Sequence, residues 1–190
     1  MSDMALLEVL RRPISVEEYN RMAEAGILAP DERVELLDGD VILVPPHGTP
    51  HFSTVLRMGQ TLTLRLGERT CVSVQLPVIV SDRSEPEPDI AILGKREDFY
   101  ASGIPRTPDV LAIIEVADSS LGVDAGKKLK IYAEAGVPEY WIVDVNRGAV
   151  VVHRDPSGAG YDSVQTHYRG GRVSFAAFAD ETFIVDELIG

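Results

Sequence analysis

A continuous apolar run at residues 110–116 constrains the fold of this chain more than any other feature. A strand that is apolar on both faces lies in the interior of a sheet, where other elements cover it from either side. Residues 139–145 form a second such run, and the segment 122–135 between them has a helical pattern that ends at Gly136 and Pro138. This order predicts an α/β fold, with a mixed sheet flanked by helices.

The remaining patterns predict two more helices and additional hairpins around that sheet. Ser15 and Glu18 have the spacing of a capping box, which predicts a helix ending at Gly26. Apolar runs on both sides of Asp38 and Gly39 predict a hairpin over residues 33–44. Helix 50–66 is predicted to bury Phe52, Val55, Gly59, Leu62 and Leu66 and to expose Arg57, Thr61 and Arg65. Other predicted elements are strands at 70–75, 77–80 and 89–93, a hairpin at 161–175 turning at 169–171, and a closing segment at 183–188.

Length, cysteine content and charge limit the class of protein. The 190 residues suit one domain, predicted over residues 14–190 behind a flexible N-terminal arm at residues 1–13. The chain has no apolar run of about 18 residues, so no membrane span is predicted, and its single cysteine, Cys71, points to the cytoplasm. The net charge of −12 argues against tight DNA binding by the isolated chain, but it does not exclude a nuclease whose site carboxylates add negative charge.

Two acidic residues occupy positions where a charge is unexpected. Glu115 interrupts an otherwise apolar strand, and Asp89 stands at the entrance of another. A carboxylate buried in a strand costs several kcal/mol unless it is paired or binds a metal ion. Two acids at the ends of neighbouring strands supply the oxygen ligands that a hard divalent cation prefers. The alternative, a salt bridge or a loop cap, stays open on the pattern alone.

One lysine of the helix at 122–135 faces the predicted core. Lys127, Lys130 and Glu134 cluster on the solvent side at 100° per residue, whereas Lys128 falls on the apolar stripe. Its stem could simply run along the apolar surface to place the ammonium group in water. The other interpretation is that it reaches Glu115, because this helix directly follows the Glu115 strand. Two acids with an inward lysine are the groups that metal-dependent phosphodiester hydrolysis uses.

Several segments, taken in order, resemble one nuclease family. These segments are Pro88 with Asp89, residues 114–116, residues 124–132 with Lys128, and residues 136–144, together with residues 35–39, His51 and Gln75. In this ordered set the chain is similar, over residues 14–188, to the small restriction-endonuclease-type proteins called the Uma-two family. That family is a branch of the PD-(D/E)XK nuclease superfamily, so the resemblance implies a restriction-endonuclease-like fold.

The resemblance also implies roles for individual residues. Asp89 and Glu115 would be metal ligands, with the Val116 carbonyl as a third. The simplest form of the superfamily has its lysine two residues after the second acid, where this chain has Ala117. The family pattern therefore implies that the lysine has moved onto the helix, at Lys128.

Other residues that match the family keep a structural alternative. Glu35 resembles an acid that completes the site, but could be a surface carboxylate near the hairpin. Gln75 resembles a polar residue lining the site, but could be an exposed strand residue. His51 is interpreted as a packed or capping histidine rather than a base. Asp144, Tyr132 and Trp141 are predicted to be structural.

These observations lead to two functional hypotheses. The first is an endonuclease that hydrolyses phosphodiester bonds of DNA through Mg²⁺, with Mn²⁺ as a substitute, held by Asp89 and Glu115. The second is a catalytically silent metal- or partner-binding module that keeps the nuclease fold. Enzymes that cut both DNA strands commonly pair two sites, so a homodimer through the exposed edges of the C-terminal hairpin is compatible with the first hypothesis, but the sequence does not decide it. The sequence decides neither the target sequence nor the choice between DNA and RNA.

Overall fold

The computed structural model describes residues 11–29, 31–118, 120–158 and 160–190. Its centre is a six-stranded mixed sheet with the strand order β3-β4-β5-β6-β7-β8. Strands β5 and β6 are parallel, and all other neighbours are antiparallel. The six strands are β3 (Thr70–Val74), β4 (Ile90–Gly94), β5 (Val110–Ala117), β6 (Glu139–Asp144), β7 (Ala149–Ser157) and β8 (Gly160–Tyr168).

The predicted α/β class is confirmed, and both apolar runs form interior strands. Seven of the eight residues of β5 and all six of β6 are buried. Because side chains alternate between the faces of a strand, each of these strands contributes to two separate cores. One core contains Ile114, Val116, Trp141 and Val143, and the other contains Ile113, Ala117, Tyr140 and Ile142.

Helices cover both faces of the sheet. Helix α2 (Thr49–Leu66) and the C-terminal helix α4 (Val185–Ile189) pack in the core that contains Trp141. Helix α3 spans residues 121–134 and links the parallel strands β5 and β6, and it packs in the opposite core through Ile131 and Tyr132. The first helix, α1 (Val16–Glu24), has the predicted capping box between Ser15 and Glu18.

Helix α3 contains an irregularity that the sequence pattern did not predict. Residues Asp124–Lys128 form a π-helical turn between two α-helical segments, Leu121–Val123 and Leu129–Glu134. A π-turn inserts an extra residue per turn, so it shifts which side chains face the core. Ala125, which a regular helix would place on the apolar stripe, is therefore exposed and Asp124 is buried, while Lys128 is buried as the regular period predicted.

The predicted hairpin near the N-terminus is confirmed. Strands β1 (Val34–Leu37) and β2 (Asp40–Leu43) pair around a two-residue turn in which Asp38 and Gly39 both have positive φ, 52° and 80°. That geometry matches the turn that fits the twist of an antiparallel pair. Leu37 packs in the core beneath α3, and this contact holds the hairpin over one face of the sheet.

Three sequence-based details were wrong. Phe52 is 65% exposed, because the buried stripe of α2 runs through His51, Thr54 and Met58 beside it. Residues 77–80 form no strand but a loop with one isolated bridge from Ile79 to Arg106. The C-terminal hairpin at 161–175 does not exist, because β8 pairs with the preceding strand β7. The two short strands that follow, β9 (Arg172–Val173) and β10 (Phe183–Ile184), pair with each other.

Some predictions about the ends and surfaces of the chain stay untested. Residues 1–10 of the predicted arm lie outside the described residues, and the single-domain boundary at residue 14 stays a prediction. A homodimer also stays a prediction, although the C-terminal hairpin whose edges were to form it is not found in residues 160–190, where β8 is an edge of the main sheet instead. In the described part of the chain, every helix falls short of the length and apolarity that crossing a bilayer requires.

The β1–β2 turn provides a test of how firmly the hairpin is fixed. A Cβ atom on Gly39 would lie 2.9 Å from Pro13 Cα, whereas one on Gly26, which also has positive φ, would meet nothing within 4 Å. We expect Gly26→Ala to lower the free energy of unfolding by about 1 kcal/mol, the cost of a strained backbone. Gly39→Ala should lower it by about 3 kcal/mol, since a steric clash is added. Urea denaturation measures both, and equal losses would contradict the close contact with Pro13.

Candidate metal and catalytic site

Two neighbouring strands place the two predicted acids on the same face of the sheet. Asp89 directly precedes β4, and Glu115 is the sixth residue of β5. The β4–β5 register pairs Ile90 with Ile114, so Asp89 and Glu115 lie side by side. By the two-residue period, Asp89 shares a face with Ala91, and Glu115 with Ile113, in the core beneath α3. Both acids are almost completely buried, at 6% and 3% exposure.

The carboxylate of Asp89 is held by three hydrogen bonds. His51 Nε2 lies 2.9 Å from Oδ2, and the Val116 N–H donates to the same oxygen at 2.8 Å. Gln75 Nε2 donates to Oδ1 at the longer distance of 3.3 Å. An ionised carboxylate only accepts, so the His51 Nε2 carries the hydrogen. Burial alone would raise the pKa of Asp89, but the hydrogen bond and charge of His51 outweigh it and hold the pKa below its usual value.

The backbone of Val116 offers a third oxygen at the same place. Its N–H points to Asp89, and in a strand the C=O of a residue lies on the same side as its N–H. Extending the β4–β5 register by two residues places Pro88 opposite Val116. Proline has no N–H to donate. Asp89 therefore supplies a carboxylate at this place. Pro88, which lies opposite Val116, cannot donate a hydrogen bond to the Val116 carbonyl across the sheet.

Lys128 joins the second acid to the hairpin. Its ammonium nitrogen lies 3.0 Å from Glu115 Oε1 and 3.1 Å from Glu35 Oε2. Tyr132, one helical turn after Lys128, donates to Glu115 Oε1 at 2.8 Å. Lys128 is only 8% exposed, so its stem does not carry the charge out to water. Both donors end on Oε1 of Glu115, and Oε2 remains for the cavity that Glu115 lines.

Burial and charge act in opposite directions on this cluster. Burial raises the pKa of Glu115 to about 8 even though the ammonium group of Lys128 opposes the shift. Burial also raises the pKa of Glu35, again against Lys128. Burial would lower the pKa of Lys128, but Glu115 and Glu35 outweigh it and raise this pKa. Glu35 and Glu115 share the single ammonium group of Lys128, and a divalent cation would offset the remaining negative charge of the cluster.

The structure adds an acid that sequence reasoning missed. Asp124 is buried, lines the same cavity and accepts a hydrogen bond from Ser120 Oγ at 2.5 Å. Burial raises its pKa, and the Ser120 hydrogen bond opposes the shift. The π-turn directs both Asp124 and Lys128 inward. The only sequence signal was the spacing of four between Asp124 and Lys128, which places two residues near one face of a helix.

These residues surround a cavity of about 190 Å³. Its floor consists of carboxylates and Lys128, and hairpin β1–β2 and helix α3 form its walls. The lining residues are Arg33, Val34, Glu35, Leu37, Ile42, Leu43, Val44, Pro45, His47, Gln75, Glu87, Asp89, Glu115, Ser120, Val123, Asp124 and Lys128.

A second group of metal-binding side chains overlaps this site. Ligand atoms of His47, His51 and Asp89 all lie within 4.8 Å of one another. The two imidazole rings, however, stack in nearly parallel planes with centroids 3.8 Å apart. A histidine nitrogen donates its lone pair in the plane of its ring, so one ion cannot lie in both planes. This arrangement favours His51 as a hydrogen-bond partner of Asp89 over a two-histidine metal centre.

The structure therefore brings all the predicted site residues together. Glu35 is buried against Lys128 and is not a surface carboxylate. Gln75, although exposed, contacts Asp89. His51 is packed as predicted, and its contact with Asp89 goes beyond that expectation. Asp144, Tyr132 and Trp141 are buried, with Asp144 accepting from the Arg147 N–H and Trp141 stacking on Phe175.

A mixed sheet with helices on both faces and adjacent acids at β4 and β5 defines a restriction-endonuclease-like α/β protein. Residues 16–183 match the Uma2 family, described as "Putative restriction endonuclease". Because the match covers most of its length, the chain belongs to this family. No curated protein matches its sequence.

The fold is also found in solved structures, and one of them matches over nearly its whole length. It is the crystal structure of "a putative nuclease belonging to DUF820" from Anabaena variabilis ATCC 29413. The TM-score is 0.72, and the alignment covers 93% of this chain and 98% of the other. At 16% identity, this similarity shows the fold alone.

The pKa of Glu115 predicts a pH-dependent stability. In the folded protein this pKa is raised from 4.5 to about 8, so the folded state binds more protons than the unfolded state between those values. Stability from this group is present below pH 4.5 and is lost as the pH rises through about 8. We expect Glu115→Gln, measured by urea denaturation without divalent ions, to gain stability relative to the wild type over that interval.

Glu68→Gln is the control, because Glu68 is exposed and outside the cavity. Its stability relative to the wild type should stay constant over the same pH range. A constant difference for Glu115→Gln as well would contradict the buried, proton-binding state of Glu115.

Proposed function

We propose that this chain is a divalent-metal-dependent endonuclease that hydrolyses phosphodiester bonds of DNA. Asp89, Glu115 and the Val116 carbonyl would hold Mg²⁺, with Mn²⁺ as a substitute, and Lys128 would act beside them. The observation that carries the proposal is the buried ammonium group of Lys128, which bridges Glu35 and Glu115 next to Asp89. Lysine is rarely buried to this extent in proteins unless its charge is paired.

The donor set fits a hard cation. Both acids have one oxygen fixed by strong donors, Oδ2 in Asp89 and Oε1 in Glu115, and both line the cavity. Two carboxylate oxygens and a backbone carbonyl are the ligands that Mg²⁺ accepts, with waters in its other positions. When bound, such an ion polarises a phosphate and lowers the pKa of a coordinated water.

The protein's own groups would orient the reactants. The ammonium group of Lys128 lies where it can donate to the attacking water or to a phosphate oxygen that gains negative charge. Glu35 keeps Lys128 in place, and Tyr132 fixes Glu115. The water oxygen forms a bond to phosphorus and gives up one proton to solvent, the bond from phosphorus to the leaving oxygen breaks, and the leaving oxygen takes up one proton from solvent, so that one water molecule is consumed.

A cleavage assay with neutral replacements tests the proposal. Asp89→Asn and Glu115→Gln keep the shape of each side chain and remove the charge that would hold the ion. We expect each to reduce the rate of Mn²⁺- or Mg²⁺-dependent cleavage of plasmid and oligonucleotide DNA by at least about 100-fold. The matched control is Asp162→Asn, at an exposed aspartate of β8, which should cleave like the wild type. Metal-dependent cleavage that survives both site replacements would refute the assignment.

The second hypothesis, a binding module without catalysis, is favoured by the net charge of −12. Calorimetric titration with Mn²⁺ separates the two functions. We expect binding by the wild type and by Asp162→Asn, and at least about tenfold weaker binding by Glu115→Gln, since one of two charged ligands is lost. Binding without any cleavage would select the silent module, and no binding at all would rule out both metal-based functions.

A further inference from the structure

The walls of the cavity differ in chemistry from its floor. Cross-strand partners point to the same face of a hairpin, so Ile42 lies beside Glu35 on the face that covers the site. One position further along that face is Val44, whose N–H bonds to the Arg33 carbonyl at 2.9 Å. Pro45 extends this apolar wall, and Val123 of helix α3 also lines the cavity. Glu35 takes part in the floor, whereas Ile42, Val44, Pro45 and Val123 offer the ligand only apolar surface.

The shape of the cavity restricts what can reach the acids. Asp89 and Glu115 lie at the bottom of a space of about 190 Å³, below the 300–1,000 Å³ typical of pockets for drug-sized ligands. A double helix is much wider than this space, since its major groove alone is about 12 Å across. A single strand can bend one phosphate toward the floor, because its backbone is flexible and its bases can leave the stack.

The charges around the cavity also disfavour a duplex. Five acids line it: Glu35, Glu87, Asp89, Glu115 and Asp124. Of the nearby cations, Lys127 pairs with Asp40 at 3.0 Å and Lys128 is buried between acids. Arg33 is exposed at the rim and forms no ion pair with any residue in the described part of the chain. One free guanidinium group suits contact with a single phosphate better than the dense charge of a duplex.

Resting on the nuclease function proposed above, we propose that the substrate is single-stranded DNA, bound with one unstacked base against the apolar wall of Ile42, Val44, Pro45 and Val123. Arg33 contacts the phosphate of the adjacent nucleotide. The scissile phosphate then reaches the carboxylate floor while the base displaces water from the wall. Bases bind apolar and aromatic surfaces with little sequence preference, so cleavage should depend on strandedness more than on sequence.

The first experiment compares one oligonucleotide in two forms. The full chain with Mn²⁺ is given a labelled 20-nucleotide strand, either alone or annealed as a blunt duplex. We expect the single strand to be cut at least about tenfold faster. Binding of both forms is measured in parallel by fluorescence anisotropy with Ca²⁺, which has similar oxygen-ligand preferences.

Two variants test the wall and the rim. Val123 is 47% exposed, so Val123→Ser should fold normally and weaken single-strand binding about fivefold through lost apolar contact. Its control is Ile27→Ser, at an exposed aliphatic residue outside the cavity. Arg33→Ala should reduce the slope of log affinity against log salt by about 0.7, the value for one phosphate contact with a single strand. Arg172→Ala, at an exposed arginine of β9, should leave the slope unchanged.

The outcomes separate this inference from the function on which it rests. Duplex cleavage as fast as single-strand cleavage overturns the inference and leaves the nuclease assignment intact. Equal effects of Val123→Ser and Ile27→Ser, or an unchanged salt slope for Arg33→Ala, overturn the assigned binding surface. Absence of metal-dependent cleavage of either form removes the nuclease function and this inference with it.

Discussion

The ammonium group of Lys128, held between Glu35 and Glu115, is the interaction on which the arrangement of this protein depends. Each partner comes from a different element: helix α3, hairpin β1–β2 and strand β5. A buried ion pair contributes little net stability, because desolvation offsets most of the attraction, but the loss of one partner is costly. The contact therefore fixes the relative positions of three elements around a cavity. Such positioning serves a functional site, whereas it adds little to the stability of a core.

Much of this arrangement follows from the sequence by simple periodicity. Two apolar runs predicted the interior strands, and the two acids in or beside apolar strands, Asp89 and Glu115, were predicted to lie at the ends of neighbouring strands. The 100° helical period placed Lys128 on the buried side of α3. These predictions succeeded because a charged residue inside an apolar pattern needs a nearby partner to offset the cost of its burial. The Asp38-Gly39 signal located the hairpin because few residues adopt the backbone conformation of that turn.

Other features could not be read from the sequence. The π-turn that buries Asp124 and exposes Ala125 has no signature in the residue pattern of α3. The contact between His51 and Asp89 joins residues 38 positions apart on different elements. In the C-terminal region, glycines at 170 and 171 marked a turn correctly, but turn residues do not determine which strands pair on either side. Strand pairing there depends on the tertiary core around Phe175 and Phe183.

Among the described residues that line the cavity, Arg33 carries the one exposed positive charge, which differs from a protein that holds DNA through many phosphate contacts. A bound metal ion would supply the missing positive charge. The measurement that tests this most directly is a crystal structure of the protein soaked in Mn²⁺, with the ion located by its anomalous scattering. We expect one strong peak coordinated by Asp89, Glu115 and the Val116 carbonyl, with Lys128 beside it. No peak there, or a peak bound only by His47 and His51, would contradict it.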